Sequence, residues 1–145
     1  MAIGITIFNV MFDSMGALAT LHNRTHIEPL WDLIIVVSFA MGILLERGSE
    51  VQRQMWKSQE ENKGKMHVGG PFGWIVHANY TGYLIWRVSI YAFGHSMLLQ
   101  LLNAFITYDF VTGDIRVQHE RNVKKYGKDF EQYWEKTPKL VPGVY

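Results

Sequence analysis

The chain has 145 residues, room for one modest domain. Its formal net charge of +1 gives no global basic surface that would point to nucleic acid. Cysteine is absent, which excludes disulfides, thiolate metal sites and a cysteine nucleophile; the N-terminus also lacks the basic region and small-residue cleavage site of a cleaved signal peptide.

Residues 2–21 are apolar except for Asp13 and a few small polar groups, and residues 30–45 are apolar except for Asp32. About 20 helical residues cross a hydrocarbon core of about 30 Å. The first segment meets that length. The second meets it with Pro29-Leu30-Trp31 and Glu46 at the two interfaces, where tryptophan is favoured. Both are predicted as spans. The other reading, core helices of a soluble bundle, asks for a polar face that neither segment has. A polar stretch follows, opening as a charged helix from Glu46 to about Glu61 and turning at Asn62-Lys63-Gly64-Lys65 and at Gly69-Gly70-Pro71. Tyr80 to Val111 is apolar again and splits at Gly94-His95-Ser96, which predicts a helical hairpin with arms of about 15 residues, about 22 Å each. The tail from Thr112 to Tyr145 is polar. Gly127 reads as a helix C-terminal glycine, and Asp129 with Gln132 as a capping box opening a short last helix.

The cations test this order. Twelve of the fourteen Lys and Arg residues fall in segments 46–79 and 112–145. Two spans and a hairpin place those segments on one face, which the positive-inside rule makes cytoplasmic. The expected fold class is therefore all-α: an integral membrane bundle of two spans, a helical hairpin and a cytoplasmic C-terminal helical tail. It forms a single domain over 1–145, with 1–29 an extra span and loop.

The motif order Glu46-x-x-Ser49-Glu50-x-Gln52-Arg53, Asn62-Lys63-Gly64-Lys65, Gly70-Pro71-Phe72-Gly73-Trp74 and His77-x-Asn79-Tyr80-x-Gly82 resembles the DUF1295 family. The ending Lys125-Tyr126-Gly127-x-x-Phe130-x-x-Tyr133, closed by Pro142-Gly143-Val144-Tyr145, is similar to that of the sterol reductases. The resemblance covers about residues 30–145. It places the chain in a membrane superfamily with the steroid 5-alpha-reductase C-terminal domain, the sterol C14 and delta-7 reductases and the isoprenylcysteine carboxyl methyltransferases.

The resemblance implies an α-helical membrane protein with a cofactor pocket at its cytoplasmic face, in the endoplasmic reticulum if the source is eukaryotic. The leading expectation is an NADPH-dependent reductase of a carbon–carbon double bond in a sterol-like or other isoprenoid lipid. The alternatives are a lipid methyltransferase using S-adenosylmethionine in the same pocket, and a degenerate, non-catalytic membrane protein. The expected partners are an apolar lipid substrate and the membrane, with a homo-oligomer or a partner subunit as a source of the upstream helices that relatives carry. The chain departs from the pattern at Val76 and Ala78, where relatives read Arg and Pro. It departs again at Gln118 or His119 and at Asn122, where relatives carry an acid and a cysteine, and at Phe130 for Trp.

Roles follow within that frame. Tyr80 has a proton to give to a reduced carbon. Glu50 shares a helix face with Glu46, and paired carboxylates suit acid–base work or a cofactor's ribose. His77 and Asn79 are expected to bind the cofactor, His77 by hydrogen-bonding an amide or carboxylate; the other reading makes Asn79 a helix N-cap. Arg121, Lys124 and Lys125 offer cations to phosphates, or else form a solvated basic helix attracted to anionic lipid. Tyr126 and Tyr133 stack on a cofactor ring or anchor at the interface. Arg87 is a charge within the apolar hairpin and stands opposite residue 103. The six histidines show no H-E-x-x-H spacing, so no metal is assigned.

Overall fold

The computed structural model describes residues 27–93 and 97–140, with positions 11, 14–16, 18 and 22 before them. The first expected span, the break at 94–96 and the closing 142–145 thus lie wholly or mostly outside the described residues. Among those described there is no strand, so the fold is all-α.

Helix α1 runs Pro29–Ser58, 30 residues or about 45 Å. Pro29 suits the first helical position, since its fixed φ is helical and its missing N–H would have no partner there. The helix ends where the Trp56 carbonyl takes the Gln59 N–H (3.4 Å) and the Asn62 side-chain amide (3.0 Å). The expected second span and the expected charged helix after Glu46 are one continuous rod. The junction Leu44-Leu45-Glu46-Arg47 consists of strong helix formers and offers no breaker. Its apolar half exposes Leu30, Leu33, Met41 and Leu44. Among the described residues it is the one helix long and apolar enough to cross a membrane.

Helix α2 (Ala78–Phe93) packs along α1. The helices meet at Gly42 and Gly82, where a Cβ on either glycine would press into backbone of the other helix. Beside this crossing the Trp86 indole donates to the Glu46 carboxylate, and Phe39 meets Trp86 edge-on at 6.3 Å.

Helix α3 (Met97–Tyr126) is twice the length expected of a hairpin arm. It does not stop at Val111, because the one glycine nearby, Gly113, sits in open space and strains nothing. Arg87 is 2% exposed and donates through Nε to Asn103 Oδ1 at 3.0 Å, the facing position the hairpin register predicts. It also reaches the Tyr83 hydroxyl at 2.8 Å. Buried polar groups of this kind are held by hydrogen bonds because water cannot satisfy them.

Gly127 ends α3 with φ +58°, its N–H bonded to the Val123 carbonyl at 2.9 Å. It also opens helix α4 (Lys128–Lys136), in which no side chain caps the N-terminus. The expected Asp129–Gln132 capping box is absent, because Asp129 already lies in the first turn and leaves no residue between the helices to cap. The expected N-cap at Asn79 is likewise replaced: α2 begins at Ala78, with the His77 carbonyl taking the Thr81 N–H at 3.0 Å. Residues 138–140 then lie against the start of α2. The Val76 and His77 N–H groups donate to the carbonyls of Pro138 and Lys139 (2.9 and 3.0 Å), and the Thr81 hydroxyl to Leu140 (2.6 Å). Leu140 closes a small core with Val111 and Ile115, against Tyr80, Tyr83, Leu84 and Trp134.

Candidate functional site

A cleft opens where the polar end of α1, the 59–77 segment and the α3–α4 elbow converge. Its walls are Arg53 and Lys57 from α1, Met66, His67, Phe72, Val76 and His77 from the segment, and Gln118, Asn122, Tyr126, Phe130 and Tyr133 from the elbow. The enclosed cavity is about 60 Å³, space for one small functional group, and it widens to the surface.

The 59–77 segment is pinned over α1. Phe72 is 3% exposed and lies beneath the Arg53 guanidinium, 5.3 Å from its ring centre. His67 meets Phe72 edge-on at 5.7 Å and Trp56 at 5.0 Å. Gly70 has φ +58°, and the Gln52 amide fills the space a side chain there would need. From the other side the Tyr133 hydroxyl donates to the Phe72 carbonyl. Burial pushes the Tyr133 phenol up to about 12, so it remains a donor at every physiological pH.

His77 is 3% exposed. Burial, reinforced by the nearby Arg53 and His119 and only partly opposed by Asp114, lowers its imidazole to about 4. It is a neutral ring, and its Nε2 is buried without a hydrogen-bond partner among the described residues. The ring stacks on Tyr80 (5.5 Å, 15°) and faces the edge of Trp134 at 5.8 Å. The Tyr80 hydroxyl donates to Asp114 Oδ2 at 2.6 Å and accepts from the Gln118 amide.

Of the residues singled out from the sequence, the structure brings His77, Tyr126 and Tyr133 together on the cleft wall, with Tyr80 behind His77. Glu50 does not face the cavity. It holds Arg53 at 2.7 Å. Asn79, Arg121, Lys124 and Lys125 do not line the cleft, and the three cations are exposed on α3, with Lys125 lying over the Tyr126 ring at 5.0 Å. Sequence reasoning missed Arg53, Lys57, His67 and Asp114. Glu46, Glu50, Arg53 and Lys57 follow one helical face at spacings of three and four, which was the available signal for the first two. Asp114 meets Tyr80 across 34 residues and His67 rides on an irregular segment, so neither leaves a local signature.

A family described as "Protein of unknown function (DUF1295)" matches residues 4–137. The chain belongs to the DUF1295 family. It is also similar to a protein of Ustilaginoidea virens named "Probable O-methyltransferase ustE", with 35% identity over 75 residues, 51% of this chain. That match spans 26% of the relative's length.

This DUF1295 chain keeps a guanidinium in the cleft despite Val76. Val76 is itself buried and lines the cavity, and Arg53 enters from α1. Gln118 and Asn122 also lie on the wall. A second, open cavity of about 450 Å³ lies against α3 and α4, lined by Asp109, Thr112, Gly113, Ile115, Arg116, His119 and Trp134. The two cavities share an aromatic wall: His119 packs on Trp134 at 4.5 Å, and Trp134 touches His77.

Proposed function

We propose that this protein is a membrane-embedded methyltransferase that takes S-adenosylmethionine in the cleft and acts on a lipid-like acceptor. The charge of the cleft carries the reading. Glu50 neutralises Arg53, which leaves Lys57 as the cation on the wall with no ion pair among the described residues. That suits a ligand with one carboxylate and no phosphate. NADPH brings a pyrophosphate and a 2′-phosphate, which ask for several cations and fixed donors. Arg121, Lys124 and Lys125, the expected suppliers, stand outside the cleft. The methyltransferase name of the 35%-identical relative supports the same choice.

The residues present fit such a cofactor. His67 and His77 line the cleft with polar rings, and Tyr126, Phe130 and Tyr133 offer ring surface. When bound, the cofactor supplies an electrophilic methyl group. This chain binds, orients and excludes water. Tyr133 holds the 59–77 segment over the cleft, Tyr80 and Asp114 brace His77 from behind, and Phe72 and Val76 keep the floor dry. The second cavity receives the acceptor's polar end. The exposed Leu101, Leu102, Phe105 and Tyr108 of α3 lead to it and suit an apolar body lying in the bilayer. With the cation-rich segments cytoplasmic, both cavities open toward a soluble cofactor.

A second reading, the NADPH-dependent reductase, is favoured by one observation. Tyr80 is a phenol stacked behind His77, with a proton to give to a reduced carbon. The two readings separate by titration of detergent-purified protein, following thermal stability and the fluorescence of Trp56 and Trp134, which touch His67 and His77. Saturable stabilisation by S-adenosylmethionine, with no response to NADPH, is expected. Stabilisation by NADPH alone overturns the proposal in favour of the reductase.

A further inference from the structure

Methyl transfer to a hydroxyl or an amine leaves a proton to be placed, and the base that takes it has to lie within hydrogen-bond reach of the acceptor atom. Such a base belongs between the cofactor cleft and the second cavity. His119 stands there. It lines the cavity of about 450 Å³, and its ring packs on Trp134 at 4.5 Å and on Phe130 at 5.6 Å. Phe130 is also part of the cleft wall, and Trp134 touches His77 on that wall. His119 is half-buried and makes no hydrogen bond or ion pair among the described residues. Its ring nitrogens are not sealed off either: buried, unpartnered imidazole nitrogens occur at His67 and His77, not at His119.

The neighbouring groups do not suit the task. Arg116, in the same cavity, is always charged. Asp109 lies ten residues away, about 15 Å along α3. Asp114 already takes the Tyr80 hydroxyl at 2.6 Å. Across Trp134 stand His77 and Lys139, the latter with its ammonium 5.4 Å from that ring's centre. Helix α4 meets His119 with the uncharged rings of Phe130 and Trp134. The charge of the cavity also bears on the acceptor. Asp109 and Arg116 offset one another beside a neutral His119, so an anionic acceptor finds no net attraction there.

We propose that His119 is the base that takes the acceptor's proton, and that the acceptor's reacting atom is a hydroxyl oxygen or an amine nitrogen rather than a carboxylate. This deepens the methyltransferase reading and rests on it. The acceptor's oxygen or nitrogen bonds the methyl carbon, and the carbon–sulfur bond breaks with its electron pair left on sulfur as a thioether. The acceptor's proton passes to an imidazole nitrogen of His119 and from there to water.

The test follows label from methyl-labelled S-adenosylmethionine into the lipid extract of membranes holding the full chain, from about pH 5.5 to about pH 8, the span in which imidazole titrates. Two variants are compared with the wild type. His119→Gln removes the base and keeps a polar side chain beside Trp134. Gly113→Leu grows into open space along the same cavity and leaves His119 in place. Binding of S-adenosylhomocysteine to purified protein, read as thermal stabilisation, controls for the cofactor cleft. The wild-type rate is expected to rise with pH, and its lipid label to stay non-volatile in alkali. His119→Gln should be at least about a hundredfold slower and lose the rise, Gly113→Leu should be slow at every pH, and both should bind S-adenosylhomocysteine as the wild type does. A rate near the wild type's in His119→Gln, with the rise retained, overturns the proposal, as does wild-type methylation by Gly113→Leu. Label that alkali drives off as methanol marks a methyl ester; it overturns the proposal in favour of a carboxylate acceptor and leaves the cofactor reading standing. Absence of both lipid label and S-adenosylhomocysteine binding in the wild type overturns the cofactor reading, and this proposal with it.

Discussion

At the scale of single residues, His77 sets a pH limit on the fold. Its imidazole falls from an ordinary value near 6.5 to about 4 because the folded protein buries it. Below pH 6.5 the unfolded chain takes up a proton that the folded chain refuses. Stability is thus complete above about pH 6.5 and drains away as pH falls toward 4, by about 3 kcal/mol in all. Thermal melts of wild type and His77→Gln between pH 7 and 4 check this. The wild type should lose melting temperature on acidification, and the variant should keep a flatter profile; parallel profiles would rule His77 out as the source. His77, Tyr126 and Tyr133 were legible in the sequence because they sit in short motifs. The partners that give them their chemistry were not. Asp114 finds Tyr80, and Phe72 finds Tyr133, only through tertiary packing, and no spacing rule connects positions 34 or 61 residues apart.

At the scale of elements, glycine has two opposite meanings in this chain. Gly42 and Gly82 let α1 and α2 touch backbone to backbone, so a methyl group at either forces the helices apart. Gly42→Ala and Gly82→Ala should each destabilise by about 1–3 kcal/mol, the usual cost of overpacking. Gly48 and Gly113 are helical and have open space where a Cβ would stand. Alanine there should stabilise by up to about 1 kcal/mol through helix propensity. Chemical denaturation of the four variants decides the matter, and a stabilising Gly82→Ala would contradict the crossing described here. The sequence marked the ends of elements well where a breaker was present, at Asn62–Lys65, at Gly69–Pro71 and at Gly127. It failed where a change of polarity had no breaker beneath it. Leu45–Glu46 and Val111–Thr112 are changes of environment along α1 and α3, and hydropathy alone cannot distinguish such a change from an end.

At the scale of the whole molecule, the cleft is built at the cation-rich end of α1, and its exposed apolar end points away from it. If α1 crosses the bilayer with that polarity, the cleft faces the cytoplasm. The absence of native cysteine makes single-cysteine labelling direct. Glu60→Cys and Lys128→Cys should react with an impermeant maleimide from the cytoplasmic side only, and labelling of either from outside would refute the orientation. The long apolar stretch of α1 and the clustering of cations were legible from hydropathy and charge. The cations of the cleft wall were not, because the basic run at 121–125 is the more visible cluster yet stands outside the cleft, while Arg53 and Lys57 reach its wall from α1. The most direct measurement of the central claim is methyl transfer itself. Membranes containing the protein are incubated with methyl-labelled S-adenosylmethionine and extracted with organic solvent. Label is expected in the lipid fraction, dependent on the protein and at least about tenfold lower in Lys57→Met. Lipid label no greater than in membranes lacking the protein, together with protein-dependent oxidation of NADPH, would contradict it.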